Sequence, residues 1–499
     1  MGEKGPSTND AAGNDDVRWV DFAPDDPENP FNFSPARKRI ITALGVFFTA
    51  EVAATAGAYV QGITGMESDL NNRHELSLAG ISLYALGFSL PPLILAPFSE
   101  AYGRRNIFLA SHLLYTIFFL CVGFADNIST VLIGRFLQGA FGSTGSTLTG
   151  GLLSDIFQTQ DRGGPMALFA TAAIAGTGFG PFWAGWVAQR QSLGWRWIQY
   201  IQAIFTGGGF LAMVVFLSET RGSVLLARRA AKLRKETGDQ RYKARAEEER
   251  ASMAVLLKVS LTRPLWLLVS EPIVLFFSLW ISLLWGVMFS LLESIGLVAA
   301  LHGFTEGQTG LVFLAIVFAA VLGQLTNSIQ NRLYMRNVAR KGPEARLYLA
   351  MGSAVAFPVG CFIYGWTSYS DVSIAGPIVG IVILMWGVHG VYLAVFNYLA
   401  DSYLTYASSA LAAQSFSRNL FAMAVPLFAE QVYEGHLGYH WASSLAGFLG
   451  AALGVVPFVL FFYGKQIRAK SRFSLQLQKM EKEQEEREER EKQNKRAEA

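Results

Sequence analysis

The chain has 499 residues, of which 52% are hydrophobic, 13% aromatic and only 16% charged. That balance argues against a set of water-soluble domains and makes a bilayer the expected solvent. The formal net charge is +3, and the basic residues sit in flanks and loops rather than on one aromatic-interleaved face, which excludes nucleic acid as a partner.

Residues 1–38 form a polar N-terminal tail rich in Asp, Asn and Pro, without an apolar stretch of signal-peptide type. The first span is therefore expected to act as its own insertion signal. An apolar run of about 17–25 residues crosses the hydrocarbon core as a helix, because its backbone groups must be satisfied internally. Twelve such runs are predicted: 40–65, 77–99, 106–125, 128–154, 165–188 and 197–217, then 265–292, 307–328, 347–367, 373–398, 409–433 and 441–464. The expected fold is all-α and integral to the membrane. Its two six-helix halves, 39–217 and 264–465, are joined by a basic linker, 218–263, and followed by a charged tail, 466–499. The tail alternates Glu, Lys and Arg from Gln476 to Ala499, as a solvated helix with i,i+4 pairs would.

Orientation follows from the short flanks. Arg37, Lys38 and Arg39, then Arg104 and Arg105, then Arg332 to Arg346, then Lys465 to Arg472 mark one side as cytoplasmic and place both termini there. The opposite loops carry mainly acids and histidines, among them Glu67, Asp69, Asp126, Asp371, Glu434 and His436. Asp155 and Pro181 stand at nearly the same spacing as Asp401 and Pro426, a trace of internal duplication. Cys121 and Cys361, the two cysteines, each lie in an apolar run, so neither a disulfide framework nor a cysteine metal site is expected. No other metal or cofactor is implied.

Three motifs carry functional information. Between the second and third spans stands Ala96-Pro-Phe-Ser-Glu100-Ala-Tyr-Gly103-Arg104-Arg105. Gly103 permits a tight turn, Glu100 sits at a helix end, and Arg104 can reach a carboxylate on a neighbouring helix end, for which Asp155 is the candidate. Span four contains Leu132-Ile-Gly-Arg135-Phe-Leu-Gln138-Gly139. An arginine inside the bilayer costs about 2.5–3.5 kcal/mol on insertion scales, so it should face the bundle interior with a partner or water. The alternative is an Arg135 that snorkels to the outer interface. Span five holds Gly176-Thr-Gly178-Phe-Gly180-Pro181-Phe-Trp-Ala184-Gly185, whose small residues permit close helix approach while Pro181 kinks the helix.

These motifs resemble, in order, the signature loop, the intramembrane arginine motif and the antiporter motif of the major facilitator superfamily. Ala96, Glu100, Thr177 and Ala184 depart from the usual pattern. Asp26-Pro-Glu-Asn-Pro30, Ser218-Glu-Thr-Arg221-Gly222, Glu271-Pro-Ile-Val, Pro343-Glu-Ala-Arg346-Leu347 and Asn397-Tyr-Leu-Ala-Asp401-Ser-Tyr403 are similar to fungal twelve-spanner drug:proton antiporters. The resemblance implies proton-coupled export of small lipophilic molecules by a monomer. The membrane implied is the plasma membrane, with the vacuolar membrane as alternative. It further implies a cytoplasmic gate built from Glu100, Gly103, Arg104, Arg105, Asp155, Arg162, Asp401 and Arg418, and proton coupling through Arg135.

Buried polar residues supply the remaining candidates. Glu51 lies near mid-depth in span one and is the first choice for a coupling carboxylate; a structural pair with Arg135 is the alternative. His389 in span ten can titrate as well. Phe48, Tyr59, Tyr84, Gln138, Trp285, Phe289, Trp386 and Tyr392 are candidates for a flat, mostly apolar substrate cavity. A nutrient or polyamine carrier of the same fold is the first rival. A membrane enzyme or receptor is the second; the scattered histidines and the lack of a phosphate-binding Gly-x-x-x-x-Gly-Lys loop disfavour an enzyme and an ATP-driven pump.

Overall fold

The structure is a computed structural model that describes residues 17–158, 161–190, 192–248, 253–403, 406–435 and 437–471. His436 and the charged segment from Gln476 onward lie outside the described residues.

The first helix, α1 (Pro35–Val60), starts where Ser34 accepts a hydrogen bond from the Arg37 amide and Pro35 supplies a preset φ. A prolyl pair, Pro91-Pro92, breaks the next rod into α2 (His74–Ser89) and α3 (Pro91–Tyr102). Gly103, with φ +102°, turns the chain directly into α4 (Arg104–Gly123). Asn127 caps α5 (Ile128–Thr147), which continues as α6 (Thr149–Ile156). Then come α7 (Gly163–Ala188) and α8 (Arg196–Phe216). Beyond a polar stretch that includes α9 (Gly222–Thr237), the helices resume with α10 (Met253–Ser270) and α11 (Pro272–Leu301). They continue as α12 (Glu306–Val312), α13 (Leu314–Lys341), α14 (Tyr348–Thr367), α15 (Ala375–Tyr403), α16 (Ala407–Ala424), α17 (Gly438–Leu453) and α18 (Val456–Lys470).

Nine helical stretches among the described residues are long and apolar enough to cross a membrane, the longest being Glu306–Thr367, which comprises α12, α13 and α14. The α5–α6 rod and α16 fall outside that set, since Gly, Ser and Thr fill much of them and each carries an arginine. Large apolar side chains such as Val215, Phe216, Phe318 and Phe462 stand exposed on the outer helix surfaces, where lipid would cover them. The innermost helix is α11, with Trp280, Leu284, Leu291 and Leu292 fully enclosed.

One expectation changes here. The seventh span was predicted at 265–292, but the helix breaks at Glu271 because proline follows, and it then runs on to Leu301. Glu271 thus stands at the N-cap position of α11, buried, and its carboxylate accepts a hydrogen bond from the Tyr403 hydroxyl at 3.0 Å rather than from the helix amides. Glu293, one residue past the predicted end of that span, therefore lies within the helix and is buried. The N-terminal tail and the linker also pack on each other. β1 (Arg18–Trp19) pairs in parallel with β2 (Tyr242–Lys243), and Val20 packs with Ala230 and Ala244. Asp26 pairs with Arg229, whose guanidinium holds that carboxyl below the ordinary aspartate value.

Candidate functional site

On the face where α1 begins and α18 ends, two carboxylate–arginine latches stand at the rim of a cavity. In the first, Arg104 donates from Nε to Asp155 at 3.0 Å and from one terminal nitrogen to the Ser99 hydroxyl at 2.9 Å, while its amide and that of Arg221 donate to Glu219, each at 2.9 Å. Arg221 also reaches Asp155, at 3.4 Å. A side chain at Gly103 would strike Glu219, so the turn glycine is required by space as well as by φ. Arg105 ties the turn to the end of α8 through the Leu217 and Val214 carbonyls, at 2.7 and 3.1 Å. In the second latch, Arg346 donates to Asp401 at 2.8 Å and stacks on Tyr334. Arg162 lies between the two: burial lowers its pKa from the ordinary arginine value, and the Asp401 and Asp155 carboxylates oppose that. No ion pair joins one latch to the other among the described residues.

The cavity between the latches has a volume of about 450 Å³. Glu100, Asp155, Arg162 and Asp401 belong to its wall, and so do Ser146 and Arg418, which it shares with a smaller chamber of about 50 Å³. Tyr84, Trp285, Phe289 and Tyr392 wall that chamber, together with Thr49, Thr177 and Asn419. An aromatic enclosure with few polar groups suits a flat apolar ligand.

The opposite face is shut. Gly176 and Gly180 face α1, where an added Cβ would strike the Ala50 and Ala54 carbonyls, and Gly57 of α1 meets Pro181 in turn. Gly178 and Gly185 face the other way, onto the Phe313 and Glu306 carbonyls. One glycine-lined helix thereby touches α1 on one side and the α12–α13 rod on the other. Gln189 accepts from the Gly307 amide at 3.1 Å, and His74 bridges Glu67, at 2.6 Å, and Glu430, at 2.9 Å.

A family model described as the Major Facilitator Superfamily matches residues 41–426. The chain belongs to the major facilitator superfamily. Its relatives within it include the efflux pump FUBT of Fusarium oxysporum, 36% identical over 92% of this chain and 79% of that protein. The ascochitine biosynthesis cluster MFS transporter of Didymella fabae is 36% identical over 95% of this chain and 91% of that one. Among solved structures, the superfamily's proton:xylose symporter XylE superposes with a TM-score of 0.62 at 14% identity, covering 86% of this chain and 96% of XylE, and so shares the fold.

Within this superfamily fold the predicted residues separate into distinct groups. Arg135 does not snorkel: it is fully buried, stacked between Tyr59 and Tyr84 with its guanidinium carbon 4.1 and 4.2 Å from the ring centres. It donates to the Gly80 carbonyl at 3.2 Å and to Gln138 at 3.0 Å. Glu51 is not its partner. That carboxylate lies 3.2 Å from His112 Nε2, and His112 stacks on Phe48 with ring centres 4.2 Å apart. Glu51 thus faces α4 and α8 and lines neither chamber of the cavity. His389 meets Thr171 at 3.2 Å, and Thr171 donates to Gln324 at 3.1 Å, which links α7, α13 and α15.

Four of the eight cavity candidates, Tyr84, Trp285, Phe289 and Tyr392, line the inner chamber. The other four do not. Phe48 is taken up by His112, Tyr59 and Gln138 by Arg135, and Trp386 donates to Thr326 at 3.0 Å. Arg418, expected in the gate, stacks instead over Trp285 and Tyr392, at 4.4 and 5.0 Å. Glu100 lines the cavity without an ion-pair partner among the described residues. Two groups were not singled out from sequence. His112 is a histidine in an apolar span, a signal as clear as His389. Glu293 is buried with neither oxygen hydrogen-bonded; the apolar run continuing to Ala300 was the available sign.

Proposed function

We propose that this chain is a proton-coupled antiporter that exports small lipophilic organic molecules across the plasma membrane by alternating access. In this reading it crosses the bilayer twelve times as two six-helix halves, 39–217 and 264–465, with both termini cytoplasmic. The observation that carries it is the aromatic cavity, accessible between two unjoined latches on one face and closed by glycine-mediated packing on the other. That is the form expected of a transporter open to the cytoplasm. The efflux pumps among its relatives favour export.

The antiport cycle follows from the groups described. Cargo enters from the cytoplasm between Asp155 and Asp401 and lodges among Tyr84, Trp285, Phe289 and Tyr392. The halves then rock about the α7 contacts, the two latches approach each other, and the His74–Glu430 seal parts. Protons arriving from outside neutralise Glu51, within reach of His112, and reset the cycle, while Arg135 and His389 hold the helices that must shift. The cargo chamber and the proton site are separate, so their coupling runs through α1, which bears Glu51 and whose Thr49 and Val52 line the chamber.

Accumulation of a panel of lipophilic dyes and fungicides in yeast cells lacking their own drug pumps tests this reading. Lower accumulation in cells expressing the chain, abolished by a protonophore, is the expected result. Export that persists after the proton gradient has collapsed overturns proton coupling, and increased accumulation overturns export.

A further inference from the structure

The inner chamber contains a cation that the protein itself does not neutralise. Arg418 is only 3% exposed. Its Nε and NH1 atoms are buried and have no hydrogen-bond partner, and no carboxylate forms an ion pair with it among the described residues. Trp285 and Tyr392 face the guanidinium, which favours the charge but leaves its N–H donors unpaired. A buried, unpaired charge is strongly disfavoured unless something completes it. Arg418 forms part of the wall of both chambers, so a molecule in either can lie against it.

The surroundings favour an anion. Five arginines and three carboxylates line the larger chamber. Asp155 and Asp401 are already held by Arg104, Arg221 and Arg346, so Glu100 is the one carboxylate left against Arg162 and Arg418. A cleft with a positive excess between apolar walls concentrates anions from the adjoining solution. The guanidinium fork matches a carboxylate with two parallel hydrogen bonds.

Resting on the export reading above, we infer that the cargo is an aromatic or flat lipophilic organic anion, above all a carboxylate, with its acid group on Arg418. Its ring system lies between Trp285, Phe289, Tyr392 and Tyr84. Neutral molecules of the same shape leave Arg418 unpaired, so the residue acts as the determinant of charge selectivity.

Binding of 2-naphthoate and of 2-naphthamide to the purified full-length protein, read by quenching of tryptophan fluorescence, tests the inference independently of transport. The expected result is at least a tenfold preference for naphthoate, reduced to near parity by Arg418→Gln. Arg418→Met replaces that variant should it fail to fold, and the wild-type ratio is decisive in its own right. Equal affinities in the wild type, or a preference that survives removal of the guanidinium, overturn the inference. Inside-out vesicles driven by a proton gradient separate it from the export reading: anion preference in binding without proton-driven uptake leaves Arg418 in place and removes antiport. Proton-driven uptake of naphthoate and naphthamide at equal rates does the reverse.

Discussion

Arg135 and Arg418 are both enclosed in apolar surroundings, and each lies against two aromatic rings, yet they differ in what completes them. Arg135 has the Gly80 carbonyl and Gln138 as acceptors and retains one unpaired nitrogen, NH2. Arg418 has rings alone and retains two, Nε and NH1. Stacking therefore does not by itself decide what a buried arginine is for. Where backbone and amide oxygens are supplied, the guanidinium joins helices. Where they are withheld beside a cavity, it awaits a ligand.

Substitution of Arg135 sharpens the contrast most. Arg135→Met strands the Gly80 carbonyl and the Gln138 amide, at a cost of about 3 kcal/mol, and should abolish export; a melting temperature equal to wild type would show that those bonds hold nothing together. Glu51→Gln should likewise abolish proton-dependent export, but with the melting temperature retained, since glutamine still reaches His112 and no longer binds a proton. Unchanged export removes Glu51 from the mechanism. Gln138→Leu makes Arg135 more like Arg418 by deleting one acceptor, at about 1–2 kcal/mol. The smallest effect is expected at the second arginine. Arg418→Gln should not lower the melting temperature, because the donors it removes are unpaired in the folded chain. A loss as large as that of Arg135→Met would mean that Arg418 is structural.

A further contrast concerns the water-exposed layer. Asp26 owes its lowered pKa to Arg229, so the pair contributes stability at neutral pH that is lost as pH falls through the depressed value. Limited proteolysis near residue 20 should accelerate under acid conditions, and at neutral pH in Asp26→Asn. Equal cleavage of variant and wild type at neutral pH would break the link.

Much of this was legible in the chain. Apolar length requires helices, since a bilayer leaves the backbone no other partner, and the Gly103-Arg104-Arg105 turn needs Gly103 at its positive φ. The Arg104–Asp155 contact could be anticipated because both residues sit at helix ends on one face, where few orientations are open to them. Glu51 was harder. Its place inside an apolar run was readable, but its direction was not, and α1 turned it toward His112 rather than Arg135.

Sequence by itself determined the all-α class, the basic composition of residues 218–263 and the family motifs, because these depend on local composition and spacing. Only the tertiary structure decided which buried polar groups meet, which four aromatic side chains wall the chamber, and that Arg418 joins them. The reason is physical: a membrane helix is apolar on nearly every face, so no stripe of polarity records its rotation. That rotation is set by close contacts between distant segments, such as Gly180 against Ala54 and Gly178 against Phe313, and through it the positions of the buried polar and aromatic groups.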